Sequence, residues 1–333
     1  MKILVTGGAG YIGSTICSAL EDGGHVPVIL DSLVNGRREF TAGRAFYHGD
    51  IADDALLDRV FAEHPEISCT IHCAALIVVP DSVANPEQYY TENVAKSLRL
   101  FGSLRRLGCA RVVFSSSASV YDDVPGFMVT EDAPLRPRSP YARTKYMMEM
   151  ILSDFCAAYD MRGIALRYFN PIGADPQMRS GAYIAAPSHV LGKMVAVATG
   201  REPLFHITGV EWPTRDGSGI RDYIHVWDLA QAHVKAMEGF DDAFRRAGDG
   251  RYLVINLGTG AGVTVKELVG AFEQVWGNAL PTRESPARPG DVAGAYANAD
   301  AARRLMDWQA RLPITAGIAD ALRWDAIRVR RGW

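Results

Sequence analysis

The chain has 333 residues, 48% of them hydrophobic and 22% charged, with a formal net charge of −3. That length holds one large α/β unit or two closely joined domains, and the near-neutral balance gives no electrostatic reason to bind nucleic acid or an anionic membrane. No apolar stretch approaches the roughly 20 residues that cross a bilayer, and the opening "MKILVTGGAG" meets glycines too soon for a signal-peptide core. In chain order, near-continuous apolar runs at 2–7, 26–31, 44–50, 69–74, 111–116 and 163–170 read as strands covered on both faces. Helical patterns at 11–22, 54–63, 87–107 and 141–160 lie between them.

This alternation predicts right-handed βαβ units and an α/β fold with a Rossmann-type, doubly wound parallel sheet. Beyond about residue 170 glycine, proline and serine become frequent, as in 170–188 and 213–219. Helices near 189–199, 227–238 and 264–276 and a strand at 252–257 follow. The expected division is a dinucleotide-binding domain over 1–170 and a smaller C-terminal α/β substrate-binding lobe over 171–333, with segments at about 220–260 returning to the first domain. Five cysteines (Cys17, Cys69, Cys73, Cys109 and Cys156) are odd in number and form no Cys-x-x-Cys. They predict free, mostly buried thiols, a cytoplasmic protein and no metal site.

The turn "TGGAGYIG" at 6–13 places Gly7, Gly10 and Gly13 between the first strand and the first helix. There Gly7 makes the tight turn, Gly10 admits a pyrophosphate to the backbone, and Gly13 lets helix and strand pack closely. The helix N-terminus offers its free N–H groups to the phosphates. Asp31 ends the next strand, where its carboxylate suits two ribose hydroxyls and repels a 2′-phosphate, so the cofactor is expected to be NAD. Arg37 and Arg38 pull weakly the other way. Asp50, after the third strand, is placed to receive an adenine amino group.

A second motif supplies chemistry. "FSSSASVY" (114–121) follows the fifth strand, and "SPYARTK" (139–145) opens a helix with Ser139 as N-cap and Pro140 in its first position. Tyr141 and Lys145 then lie four apart on one face. An ammonium there is expected to depress the phenol pKa, so that Tyr141 exchanges a proton with a substrate hydroxyl that a strand-end serine also holds.

With these residues in view, the chain resembles the extended short-chain dehydrogenase/reductases, and within them the UDP-glucose 4-epimerases. The likeness runs nearly the whole length. It includes "QYYTENV" (88–94), "RYFNPIGADP" (167–176), "PTRDGSGIRDYIHVWDLAQAH" (213–233), "NLGTG" (256–260) and "RPGD" (288–291). The resemblance implies that Ser117, Tyr141 and Lys145 are catalytic and that Asn93 supports them. It implies cofactor contacts from Tyr11, Ile12, Asn35 and Ile51, and from Ala74, Ala75 and Tyr168. Asn170, Arg221 and Arg288 are implied at the substrate diphosphate, and Asp291 at the uridine ribose. His189, Val190, Thr208 and Ala295 complete the implied substrate contacts. The implied reaction oxidises the sugar at C4, turns the 4-keto sugar about its diphosphate, and returns hydride to the other face. A homodimer through helices 87–107 and 141–160 is implied as well.

Four positions depart from the family pattern. Ile77 stands where a lysine contacts the nicotinamide ribose, Asp122 where a glycine is usual, and His189 where an asparagine binds UDP. Ala295 stands where strict UDP-glucose enzymes have a bulky wall; an alignment one place over would put Tyr296 there instead. Ala295 implies some activity on UDP-GlcNAc or UDP-GalNAc. Among competing functions, a nucleotide-sugar dehydratase needs a carboxylic acid beside its serine, and Ser116, Ser117 and Ala118 supply none. A UDP-glucuronate or UDP-pentose 4-epimerase, or a non-catalytic NAD-binding regulator, is the remaining alternative.

Overall fold

Alternation along each strand decides which side of the sheet its residues cover. Ile3 and Val5 enter one buried cluster with Ile29, Ile71 and Ile164, whereas Leu4 enters another with Val28, Leu30, Val112 and Phe114. Both faces are therefore apolar, as a parallel sheet between two helical layers requires. The structure is a computed structural model that describes residues 1–184, 187–287 and 292–333. Its main sheet has seven strands, all paired in parallel, in the spatial order Tyr252–Leu257, Arg162–Tyr168, Arg111–Ser115, Ile67–His72, Lys2–Thr6, Val26–Asp31, Ala45–His48. The order reverses between Lys2–Thr6 and Ile67–His72, which opens a crevice at their carboxyl ends.

On one face, helix Tyr11–Asp22 packs against helix Val226–Glu238 through Ile16, Leu20, Leu229 and Ala236. On the other, Leu57, Val60, Leu100, Phe101, Met148 and Leu152 bring helices Asp54–Glu63, Lys96–Arg106 and Pro140–Ala158 onto the sheet. A full burial of one such side chain stabilises by about 1.5–3 kcal/mol. The second lobe has its own core, in which helices Val190–Ala198, Val265–Trp276 and Ile314–Arg330 meet through Leu191, Met194, Leu268, Phe272 and Ile318. Thr264 and Glu267 form a reciprocal cap at the start of Val265–Trp276. Among the described residues, no helix is long and apolar enough to cross a membrane.

The helix expected over 87–107 is not one α-helix. It begins at Pro86–Tyr89, widens into a π segment over Tyr90–Ala95, and resumes as Lys96–Arg106. The wide turn carries buried Asn93, whose amide bonds to Leu76 and Thr144 rather than facing along a regular helix. A short helix, Val79–Ala84, precedes it and has no apolar period long enough to read from sequence.

Two glycines separate backbone requirement from chance. A Cβ on Gly13 would lie 2.2 Å from the Gly7 carbonyl oxygen, whereas one on exposed Gly270, inside Val265–Trp276, would meet nothing within 4 Å. Gly13→Ala should therefore destabilise by about 1–3 kcal/mol through overpacking, and Gly270→Ala should stabilise by about 0.5–1 kcal/mol. Denaturant midpoints check both, and equal shifts would contradict the assignment of the Gly7–Gly13 contact.

Candidate active site

The loops at the carboxyl ends of the central strands begin where the sheet fixes their first residues. After Lys2–Thr6 the chain turns at Gly7, whose φ of 71° needs no side chain, and a Cβ there would lie 2.7 Å from the Ala74 nitrogen. Gly10 caps helix Tyr11–Asp22 with no side-chain bond, which leaves the first amides of that helix open to an anion. Asp31 is buried, and its carboxylate accepts the Ala9 N–H at 2.9 Å and the Leu33 N–H at 2.8 Å. Burial pushes its pKa up, and the two amides hold it down. These close glycine approaches and the buried strand-end carboxylate fit the pyrophosphate and ribose of a dinucleotide.

The other expected cofactor residues surround this cradle. Ala74 and Ala75 follow strand Ile67–His72 directly, and Ile51 is buried beyond strand Ala45–His48. Ile12 packs on the core beneath the first helix, and the Tyr11 hydroxyl donates to the Gly173 carbonyl at 2.7 Å. The Asn35 carbonyl accepts the Tyr183 hydroxyl. Asp50 is already engaged, accepting the Lys96 ammonium at 2.6 Å and the Ala52 N–H at 2.9 Å. Arg37 and Arg38 lie over the rings of Tyr183 and Phe46, at 5.6 and 5.1 Å from the ring centres. Ile77 is exposed.

Helix Pro140–Ala158 starts as its residues require, with the Ser139 hydroxyl accepting the Ala142 N–H at 3.1 Å and Pro140 first in the helix. It brings Tyr141, Lys145 and Ser117 together. The Ser117 hydroxyl lies near enough to the Tyr141 phenol to hold its pKa down, while donating to the Ser119 hydroxyl at 3.0 Å and accepting the Ser119 N–H at 3.2 Å. The Lys145 ammonium donates to the Ser115 carbonyl at 2.9 Å. Asn93 ties this helix to the loop beyond Ala75: its amide oxygen accepts the Leu76 N–H at 2.8 Å, and its nitrogen donates to the Leu76 carbonyl and to Thr144, both at 3.0 Å. Tyr168 ends its strand with its ring 6.2 Å from that of His233.

One electrostatic expectation does not hold among the protein's own groups. Burial pushes the Tyr141 phenol up to about 12, opposed by the Ser117 hydroxyl, and Lys145 is not among the groups that hold it down. Burial also pushes Lys145 down to about 8, with Cys73 and Glu149 opposing. Desolvation of both groups outweighs the expected effect of one on the other.

Towards the second lobe, strand Asn170–Ile172 pairs with Tyr223–His225, placing Asn170 opposite Tyr223. The Arg221 guanidinium donates to the Ala293 carbonyl at 2.8 Å and the Val292 carbonyl at 3.2 Å. Between Arg221 and Tyr223, buried Asp222 accepts the N–H groups of Thr259 at 2.9 Å and Ala297 at 3.2 Å. It thereby fixes strand Gly294–Ala297. On that strand Ala295 joins the Val120–Tyr121–Val129 cluster beside Val124 and Phe169, while Tyr296 turns to the other side, against Gly262.

His189 caps helix Val190–Ala198, its Nδ1 accepting the Gly192 N–H at 3.1 Å, and Val190 is the first residue of that helix. Thr208 ends a strand paired with Thr282–Ser285. Arg288 and Asp291 lie outside the described residues. Asp122 adopts no left-handed conformation and is held by Arg138 at 3.0 Å, so the departure from glycine introduces no backbone strain.

Several residues of the site were not expected from sequence. Tyr223 has a buried hydroxyl with no hydrogen-bond partner among the described residues, beside Arg221. The Ser115 hydroxyl is bonded to His233 at 2.8 Å and to Cys73 at 3.1 Å. Glu149 and Arg167 form a buried pair beneath the serines. Helical spacing alone would have flagged Glu149, four residues after Lys145; the others depend on which strands become neighbours.

Residues 3–258 match the NAD dependent epimerase/dehydratase family. A UDP-glucose 4-epimerase of Bacillus subtilis (strain 168) is 41% identical, covering 99% of this chain and 98% of its own. A solved UDP-glucose 4-epimerase of Stenotrophomonas maltophila, with bound NAD and formylated UDP-arabinopyranose, is similar with a TM-score of 0.92 and 38% identity over 99% of both chains. One of Bifidobacterium longum, in complex with NAD+ and UDP, has a TM-score of 0.91 and 34% identity, again over 99% of both chains.

The buried lysine has a thermodynamic signature. A folded pKa of about 8 against 10.5 in the unfolded chain means that the unfolded state binds more protons between those values, so this group makes stability rise with pH there. Relative to Lys145→Met, the wild type should gain about 3 kcal/mol of unfolding free energy from about pH 7 to about pH 11. Denaturant unfolding across that range checks it, and a pH-independent difference would contradict the burial of a titrating ammonium.

Proposed function

The chain belongs to the NAD dependent epimerase/dehydratase family, and from that membership joined to the site we infer that it is a UDP-sugar 4-epimerase interconverting UDP-glucose and UDP-galactose. The observation that carries the reading is that Lys145 holds Ser115, whose hydroxyl bonds Cys73, and that Cys73 and Ala74 lie against Gly7, joining the Tyr141–Lys145 helix to the glycine cradle. NAD, held by Gly7, Gly10, Gly13 and Asp31, supplies the acceptor and donor of hydride at sugar C4. Tyr141 takes the proton of the sugar 4-hydroxyl and later returns it, and the Ser117 hydroxyl holds that oxygen in line with the phenol. Lys145 would orient the ribose and, through the Ser115 carbonyl, fixes the serine turn beside the phenol.

Arg221, with Arg288, grips the diphosphate, as the fork geometry of guanidinium suits phosphate oxygens. Asn170 and the unpartnered Tyr223 hydroxyl add polar contacts, and Asp291 takes the uridine ribose. His189, which caps its helix through Nδ1 and keeps Nε2 for the ligand, joins Val190 and Thr208 in the adjoining contact. Anchoring only the nucleotide leaves the hexose free to turn between Tyr141 and Ala295. The inward side of Ala295 supports room for an N-acetyl group, hence activity on UDP-GlcNAc and UDP-GalNAc. Glu149, bonded to Ser116, is paired with Arg167 and is not available as the acid of a dehydratase.

The reading extends to the whole protein. Residues 1–170 form the dinucleotide-binding domain and 171–333 mainly the sugar-nucleotide lobe, with 220–260 returning to the first. A homodimer through helices Lys96–Arg106 and Pro140–Ala158 is supported by exposed Leu98 and Met150 on their outer sides. Five free thiols support a cytoplasmic protein.

The test is incubation with UDP-galactose, without added NAD, and chromatography of the product. Conversion to UDP-glucose is expected, and Tyr141→Phe should lower kcat by about 10²–10⁴-fold. No conversion even with NAD supplied would overturn the reading. UDP-GalNAc should also turn over, and Ala295→Tyr should lower that rate about tenfold or more while sparing UDP-galactose. Equal losses on both sugars would contradict the wall.

A further inference from the structure

We propose that Glu149, paired with Arg167, is a positioning residue that locks the Ser115–Ser117 turn onto the helix carrying Tyr141 and Lys145. The inference rests on the epimerase reading, since it concerns the same proton-transfer group. Tyr141, Lys145 and Glu149 are spaced i, i+4 and i+8, one stripe along helix Pro140–Ala158. Each faces a different one of three consecutive serines. Tyr141 meets the Ser117 hydroxyl, Lys145 the Ser115 carbonyl at 2.9 Å, and Glu149 Oε1 accepts the Ser116 hydroxyl. The helix thus fastens the turn at Ser115 and Ser116, with Ser117 beside the phenol and Glu149 at the centre.

The fastening reaches beyond the helix. Arg167, on the strand beside Arg111–Ser115, donates Nε to Oε1 at 2.9 Å and Nη2 to Oε2 at 2.6 Å, with both side chains under 5% exposed. Its Nη1 donates to the Tyr121 hydroxyl at 3.0 Å, which donates to Asn256 at 2.6 Å. Asn256 donates to the Val129 carbonyl at 3.2 Å, and Val129 packs in the cluster that includes Ala295. One buried pair therefore links the serine turn to the wall of the sugar site. A buried ion pair is poor value for stability, because well-packed apolar residues often replace it without loss. Its placement against Ser116 gives it a task that apolar residues cannot perform.

The charge matters as well as the bond. The groups facing Lys145 are His72 and Cys73 from the strand beside it, the Phe114 ring at 5.1 Å and the Ser115 carbonyl, and Tyr141 and Glu149 on its own helix. Glu149 supports the ammonium against desolvation, and Arg167 tempers it.

Two variants test the role in the full-length protein with UDP-galactose as probe. Ser116→Ala removes the bond and keeps the ion pair; Glu149→Leu/Arg167→Met removes both charges and avoids a lone buried one. With positioning lost, Ser116→Ala should lower kcat about tenfold and the pair variant about 10- to 100-fold, with KM nearly unchanged. Loss of the carboxylate should also move the alkaline limb of the kcat profile to lower pH in the pair variant, and not in Ser116→Ala. Amide exchange over 114–118 should quicken in both, a readout independent of turnover. Wild-type kcat and exchange in Ser116→Ala would overturn the proposal, even if the pair variant failed to fold. A wild-type protein that converts no UDP-galactose would instead overturn the epimerase reading, leaving the exchange result to decide the positioning role.

Discussion

An ammonium held in a dry interior is unfavourable by itself, and the architecture around Lys145 exists to keep one there. The side chain is 2% exposed, between the Ser115 carbonyl and the Phe114 ring, and burial draws its proton affinity down towards neutrality. Only a rigid surround can maintain this, because a mobile one would let water in and the lysine out. The parallel sheet gives that rigidity. Ser115 is the last residue of a central strand and pairs with Leu166, one residue beyond the Phe114–His72 pair on the other side, so its carbonyl is held at the carboxyl edge of the sheet.

The two sides of the crevice have opposite properties. On the sheet side, Lys145 and Ser117 are buried and Tyr141 half-buried, with the ammonium fixed on the Ser115 carbonyl. Across the crevice, Arg221 and Tyr223 offer polar groups on short strands held by Asp222, and Ala295 offers a small apolar surface. A firm grip on a diphosphate and a smooth wall beside the hexose suit a sugar that must present both faces to one proton-transfer group. A site that bonded every sugar hydroxyl would hold one epimer and release it unchanged.

The sheet was legible because its strands are long apolar runs whose two faces are both buried. The glycine turn was legible because Gly7 and Gly13 answer to backbone contact rather than to packing. Ser139 and Pro140 announced the catalytic helix by their chemistry alone. What escaped was whatever depends on tertiary neighbours. Nothing local in "YTENVA" reveals that Asn93 sits in a π segment pulled towards Leu76 and Thr144. The phenol pKa rises where spacing suggested a fall, because sequence gives spacing but not desolvation. His189 read as an altered ligand, and its cap on Val190–Ala198 depends on the local turn. The short strands near Arg221 and Ala295 carry two to four residues, too few for any period to show.

On the epimerase reading, hydride leaves C4 for NAD and returns to the same carbon of a turned sugar, while Tyr141 handles only the hydroxyl proton. Deuterium at C4 of UDP-galactose follows that hydrogen. UDP-glucose should retain the deuterium at C4 with none passed to water, because hydrogen carried as hydride on a nicotinamide carbon does not exchange with solvent. Loss of the label to solvent, or its replacement by hydrogen at C4, would contradict that reading.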